Sequence, residues 1–199
     1  MRNLKAAIVP GVLLDGTHSV IPIILGLVLV ALAASACQTR SYPPLALAES
    51  VDIPRFMGPW YVIACIPSFI ERHEYNAVEA YRLDPQGRIR TVFTYNDGSF
   101  DGPFKRMTPL GFVTEGTRGT VWGMRFIWPI KADYRIMYVK ADYSQTVIGR
   151  EKRDYAWIMA RSPTMPDSDY QHLSALLRSQ GYDISLLRKV PQRDAAAGR

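Results

Sequence analysis

The segment Asp84-Pro85-Gln86-Gly87-Arg88-Ile89-Arg90-Thr91-Val92-Phe93-Thr94-Tyr95-Asn96-Asp97-Gly98 decides the fold class. Its middle alternates: Arg88 and Arg90 fall on one side, leaving Ile89, Thr91, Phe93 and Tyr95 on the other, as in a strand with one wet and one buried face. Turn chemistry bounds it at both ends. Asp84-Pro85-Gln86-Gly87 and Asn96-Asp97-Gly98 supply a preset φ, side-chain hydrogen bonds to the local backbone and a residue without Cβ.

The same pattern repeats outward. Period-2 segments occupy 60–66, 76–83, 111–115, 120–126, 134–140, 146–150 and 155–161, which with 88–95 makes eight expected strands. Asp101-Gly102-Pro103 adds a further turn. No helical crossover lies between the segments, which excludes a parallel α/β sheet. After Pro163 the period lengthens, with Tyr170, Leu173, Leu176 and Leu177 on one face, Asp167 or Ser168 as the N-cap and Gly181 as the C-terminal stop. The expected architecture is a mainly β antiparallel barrel or sandwich with one amphipathic helix packed outside it.

The chain has 199 residues, 48% hydrophobic and 21% charged, a composition that supports a core and excludes disorder. Arg2 and Lys5 precede an uncharged run from Val20 to Ala36 that ends in small residues, so 1–36 reads as a secretory leader. Its removal leaves 163 residues, the size of one domain, and lowers the net charge from +6 to +5 as Arg2, Lys5 and Asp15 leave. Arg118, Arg125, Lys131, Arg135 and Lys140 are interleaved with aromatics and turns, a solvated surface with some affinity for anionic lipid and no expected nucleic-acid role. Cys37 and Cys65 are the only cysteines, so a disulfide framework is excluded. His73 and His172 stand far apart with no cysteine at ligand spacing, and no P-loop or G-x-S-x-G is present. Neither a metal nor a cofactor is expected.

Leu32-Ala33-Ala34-Ser35-Ala36-Cys37 resembles the lipobox of bacterial lipoproteins, with Ala34 where that family prefers leucine. The alternative is an uncleaved membrane helix, since the 17 residues from Val20 to Ala36 approach the ~20 that span a bilayer. Pro22 and the small-residue end weigh against it. The resemblance implies lipid on Cys37, a tether over 37–50 and, with Gln38 following the cysteine, the outer membrane of a Gram-negative cell, facing the periplasm.

Gly58-Pro59-Trp60-Tyr61, preceded by Phe56, resembles the G-x-W signature that opens the first strand of lipocalins. Ala141-Asp142-Tyr143 resembles their later T-D-Y element with alanine for threonine, and Arg161 stands where they end the last strand on an arginine. The stretch Asp154-Tyr155-Ala156-Trp157-Ile158-Met159-Ala160-Arg161-Ser162-Pro163 is similar to the bacterial outer-membrane members in particular. The resemblance covers 51–190, ahead of a flexible tail over 191–199. It implies an eight-stranded up-and-down lipocalin barrel that holds one small ligand. Gly58, Trp60, Asp142, Tyr143 and Arg161 become its structural motif, with the guanidinium against the indole at a closed end.

Strand parity then assigns the lumen. Arg161 pointing inward brings Met159, Trp157 and Tyr155 with it, while Trp60 brings Val62 and Ala64. Arg125 outside places Trp122, Met124 and Phe126 inside, and Arg135 outside does the same for Tyr134, Ile136 and Tyr138. Phe93 and Tyr95 follow from 88–95. Glu79 shares its side with Ala77, Tyr81 and Leu83, so either it faces a ligand head or a lumen tyrosine, or a bulge turns it outward. The candidate ligand-binding set is Glu79, Tyr81, Phe93, Tyr95, Trp122, Met124, Phe126, Tyr134, Ile136, Tyr138, Tyr155 and Trp157.

Such a lumen suits an acyl chain with one polar head, and the resemblance implies a fatty acid or lysophospholipid carried for envelope maintenance. A lumen filled by its own side chains would instead make a structural or partner-binding envelope lipoprotein, and a homodimer stays open. No catalytic residue is expected. Parity places Cys65 with Tyr61 and Ile63 on the outer face under the helix, against a thiol-dependent lipid-modifying enzyme. Glu71, Arg72, His73 and Glu74 read as a solvated loop at the barrel mouth.

Overall fold

The computed structural model describes residues 42–67 and 73–193; the leader, Cys37, Glu71, Arg72 and the chain from 194 onward lie outside them. The strands are β1 (Gly58–Ile66), β2 (Glu74–Leu83), β3 (Arg88–Asp97), β4 (Phe104–Met107), β5 (Leu110–Val113), β6 (Val121–Ile127), β7 (Ile130–Val139), β8 (Gln145–Gly149), β9 (Ala156–Ala160) and β10 (Arg188–Lys189). They pair in the order β10-β1-β2-β3-β5-β6-β7-β8-β9, and β9 returns to β1, so the antiparallel sheet closes on itself. β4 and β5 share one barrel position, because both pair with β3 on either side of a break at Thr108-Pro109. Pro109 has no N–H for the ladder, although its carbonyl still accepts from the Thr91 amide at 3.2 Å. The barrel thus has eight positions, with β4 and β10 beyond the expected strands. β3 also runs on to Asp97, so its turn falls over 98–103 rather than at Asn96-Asp97-Gly98.

Closure bends the strands through register shifts between Val62 and Ala64, Tyr75 and Val78, Met124 and Ile127, and Ile136 and Tyr138. An extra residue on one strand reverses parity beyond it, and this corrects the sequence reading at three positions. Ala64 turns outward, Cys65 turns into the lumen, and Tyr138 leaves it. Met137 and Tyr138 both face the outer cluster, where the Tyr138 ring stands 6.4 Å edge-on from His172. Leu83, at the end of β2, is exposed.

Two helices finish the barrel. α1 (Ile53–Phe56) is one turn, started by Asp52, whose carboxylate accepts from the Arg55 amide at 3.1 Å. α2 (Asp167–Ser179) lies outside and buries Leu173 and Leu177 against Ile63, Ala64, Val147, Ala156 and Ile158. Its N-cap is Pro166, without a side-chain bond, so Asp167 and Ser168 lie inside the first turn rather than capping it. Gly181, at φ +88°, ends it: its amide donates to the Arg178 carbonyl at 3.0 Å and the Tyr182 amide to Leu177 at 3.2 Å, the Schellman pattern. The Tyr182 hydroxyl then bonds both the amide and the carbonyl of Arg150, at 2.7 and 2.9 Å, tying the segment after α2 to the end of β8.

The chain continues from α2 into a seam. β10 lies on the edge of β1 where β2 diverges, pairing Ala64 with Lys189 and Cys65 with Arg188. Asn76, at φ +51°, donates its amide to the Pro191 carbonyl, and the Gln192 side chain bridges the carbonyls of Val62 and Ala77 at 2.8 and 3.1 Å. Beneath the seam Glu74 is buried, correcting its assignment to a solvated loop, and accepts from Arg188 at 3.2 Å and from the Cys65 thiol at 3.5 Å.

The opposite end is shut around Arg161, whose guanidinium carbon lies 3.8 Å over the Trp60 ring. It donates to the carbonyls of Pro59 (2.7 Å), Arg55 (3.0 Å), Phe56 (3.1 Å), Met57 (2.8 Å) and Tyr143 (3.4 Å). Gly58, at φ +96°, lets the chain pass, since a Cβ there would sit 3.2 Å from the guanidinium nitrogen Nη1. Arg161→Ala should lower unfolding free energy by about 3 kcal/mol in urea titrations, and Arg161→Lys should not restore it, because an ammonium cannot serve the same carbonyls while stacking on the indole. Gly149→Ala should cost about 1–3 kcal/mol in the same assay, since its Cβ would overlap the Tyr182 hydroxyl and the Met137 sulfur.

Candidate functional site

The lumen is divided along its length. Its closed half is packed by Phe56 from α1, Trp60, Tyr81, Trp122 and Ile136, with Phe56 and Trp60 fully buried and their rings 4.9 Å apart. Trp122 meets Phe56 edge-on at 5.4 Å and stacks on Tyr134 at 5.2 Å, while its indole N–H donates to the Gly119 carbonyl at 2.8 Å. These aromatics form a floor, and Phe93 and Tyr95 continue the packed wall above it on β3.

Above the floor lies a cavity of about 520 Å³ that opens between β4, β6, β7 and β9. Glu79, Met124, Phe126, Tyr134, Tyr155 and Trp157 border it, as do Met107, Thr108, Pro109, Ile127, Ala132, Asp133 and Arg150. The structure therefore brings six of the twelve sequence candidates to the cavity and packs Tyr81, Phe93, Tyr95, Trp122 and Ile136 into the interior without bordering it. Tyr138 lies outside. Met107, Thr108 and Pro109 were not legible, because Phe104-Lys105-Arg106-Met107 does not alternate cleanly. Ala132 had a signal: extending the inward set of β7 two residues back from Tyr134 reaches it.

Glu79 faces inward, because the bulge on β2 precedes it. Its carboxylate accepts from the Tyr81 hydroxyl, and Tyr81 lies 2.7 Å from the Tyr134 hydroxyl. With the Tyr81 proton committed to Glu79, Tyr134 is the donor in the second bond. Burial, and then the negative charge of Glu79, hold the Tyr134 phenol well above the usual tyrosine value of 10.0. Glu79 pairs with Trp60 across β1, so this polar chain sits deep. At the other end Arg150 pairs with Asp154 at 3.1 Å and covers the Tyr155 ring at 4.7 Å. The cavity is thus apolar along its walls and polar at both ends.

Three separated pieces of sequence meet at the closed end: Gly58-Pro59-Trp60, the turn at Asp142 and Tyr143, and Arg161. Asp142 accepts from the amide and hydroxyl of Ser144 at 2.9 and 2.6 Å, which hold its carboxyl below the usual value and fix the turn. The Tyr143 hydroxyl accepts from the Asp52 amide at 2.8 Å, and Arg55 lies 4.2 Å over its ring. Residues 51–192 match the family model of the lipocalin-like domain. The chain is a lipocalin. It is 30% identical to the temperature-induced lipocalin-1 of Arabidopsis thaliana over 156 residues, 75% of this chain and 84% of that protein. It is 26% identical to the outer membrane lipoprotein Blc of Escherichia coli over 159 residues, 79% and 89% of the two chains. Insecticyanin of the tobacco hornworm Manduca sexta shares the fold with a TM-score of 0.61 at 15% identity, over 78% of this lipocalin and 88% of that chain. Lipocalins are generally carriers of small hydrophobic molecules rather than enzymes.

The buried phenols set an alkaline prediction. Tyr182 is pushed up to about 12 by burial, and Tyr134 is raised too. Both favour the fold while neutral, so their contribution is complete below the unfolded tyrosine value near 10 and is lost as pH climbs through their folded values. Spectrophotometric titration of the folded protein should show late-ionising phenols, with Tyr134→Phe and Tyr182→Phe each removing one.

Proposed function

We propose that this lipocalin carries one single-chain lipid, a fatty acid or a lysophospholipid, in the open half of its barrel, and stores or moves it for envelope maintenance without transforming it. The observation that carries this reading is the cavity of about 520 Å³, walled by Met107, Pro109, Met124, Phe126, Ala132 and Trp157 and polar at its ends. Its size lies within the ~300–1,000 Å³ range of small-molecule sites. Burying ~16 methylenes at ~0.8 kcal/mol each contributes a gross ~13 kcal/mol, and immobilising the lipid offsets a large part. The aromatic floor limits how far a bound lipid enters.

The lipobox-like segment before Cys37 supports a lipid anchor, and similarity to a relative named an outer membrane lipoprotein supports the outer membrane, facing the periplasm. Two or more acyl chains on Cys37 make such attachment stable. Against an enzyme stands the state of Cys65. It faces inward, yet it is fully buried beside Glu74 and Arg188 and is not among the described residues that border this cavity.

Native mass spectrometry of the mildly extracted protein should show a lipid adduct, and Ala132→Trp should abolish it while far-UV circular dichroism stays unchanged. A consistently empty wild-type barrel would refute the carrier reading in favour of a structural or partner-binding role. Glu79→Ala should weaken binding of a lysophospholipid with a hydroxyl or ammonium head by about tenfold or more, since a bond to a charged acceptor is lost. Unchanged affinity with unchanged folding removes Glu79 from head-group recognition.

A further inference from the structure

The open rim carries a feature that lipid storage does not use. Phe126, Ile127, Trp128 and Ile130, at the tip of the β6–β7 hairpin, are 52%, 73%, 78% and 70% exposed. A contiguous apolar patch of this kind marks an interaction surface. Its shape narrows the partner. The exposed side chains sit at the end of a two-stranded hairpin, where Ile127 pairs with Ile130, a tip that a fluid phase can surround. Tryptophan at such a tip favours the bilayer interface, where its ring is apolar on one side and its N–H reaches water.

Charge points the same way. Arg125 and Lys131 flank the tip on the two strands, lying over the Phe112 ring at 4.9 and 4.2 Å, and neither forms an ion pair among the described residues. Four rim carboxylates are engaged elsewhere: Asp133 and Glu151 with Arg135 at 3.0 and 3.2 Å, Asp154 with Arg150 at 3.1 Å, and Asp101 with Arg193 at 3.3 Å. An apolar tip with a cationic collar complements an anionic lipid surface.

The start of the described chain lies on the same rim. Tyr42 packs under Arg153, 4.9 Å from its guanidinium carbon, and Arg153 donates to the Pro43 carbonyl at 2.6 Å, in the turn between β8 and β9. That turn lies beside Asp133 and Arg135 of β7, and the β6–β7 tip extends beyond it in the same direction. Four residues lie between Cys37 and Tyr42, a reach of at most ~18 Å. The proposed lipidation of Cys37 would therefore act on the chain just ahead of this rim; the hairpin argument stands without it.

We propose that the β6–β7 hairpin tip inserts into the anionic phospholipid surface, seating the cavity mouth on the bilayer so that lipid passes between membrane and barrel without crossing water. Phe126 and Ile127 belong to both surfaces, since they border the cavity and stand at the tip. The test uses the full chain reconstituted in vesicles of phosphatidylethanolamine and phosphatidylglycerol, with Trp128→Phe as the reference that subtracts the emission of Trp60, Trp122 and Trp157. Trp128 should be quenched by lipids brominated on their acyl chains and shielded from aqueous acrylamide, and Arg125→Ser with Lys131→Ser should remove most of that quenching. Flotation with the vesicles reads the anchor separately. If the chain floats but Trp128 is quenched by acrylamide and not by the brominated lipids, insertion is overturned and the anchor stands. Shielding from both quenchers also overturns it, in favour of a second copy of this chain covering the tip.

Discussion

One guanidinium joins the three parts of the chain that define the closed end. Arg161 lies after the last barrel strand, yet its donors end on carbonyls of α1, the start of β1 and the β7–β8 turn, while its plane covers Trp60. A single planar, permanently charged fork can serve carbonyls in several directions and still stack, and an ammonium cannot. Because these carbonyls belong to the segment that carries Phe56 into the lumen, the contact also fixes the aromatic floor. The depth of the cavity thus follows from a residue that never borders it.

That floor explains why the barrel is both stable and hollow. A closed eight-position barrel is just wide enough for side chains to fill. Here large aromatics fill the end nearest Arg161, and the residues facing one another above it are smaller or turned aside, with Ala132 opposite Met124 across the β6–β7 pairing. The two competing expectations, a filled barrel and an open one, each describe half of the lumen. Glu79 marks the boundary, engaged with Tyr81 in the packed layer and bordering the space above it.

The strands were legible because alternation and turn chemistry agree in most of them, and Gly58, Trp60 and Arg161 added their identity. Orientation was legible only up to the first bulge. On β1, Trp60 and Val62 follow simple parity and Cys65 reverses it, because two consecutive residues, Ile63 and Ala64, face the outer cluster. On β7 the same device carries Tyr138 out of the lumen. A bulge is the price of curvature in a closing sheet, and a single sequence does not mark where the extra residue falls. β10 escaped for another reason: Arg188 and Lys189 have no strand signal of their own and are ordered by the edge of β1 that β2 vacates. Arg188 lands there beside buried Glu74, a carboxylate that needs a cation once it leaves water.

The two ends of the barrel are built on opposite principles. At the closed end the polar groups of the chain satisfy one another and large side chains exclude solvent. At the open end Arg135 and Arg150 pair with rim carboxylates, and apolar side chains face outward at the β6–β7 tip beside Arg125 and Lys131. Exposed tryptophan and isoleucine carry a solvation cost that a soluble rim gains nothing by keeping. The cost is removed where the surrounding phase is lipid, and that phase is also where the proposed single-chain cargo would reside. A carrier whose mouth opened to water would have to expose each methylene in transit, at ~0.8 kcal/mol apiece. In the proposed carrier, continuity between the apolar tip and the cavity wall, through Phe126 and Ile127, would remove most of that barrier and give the asymmetry of the barrel a physical reason.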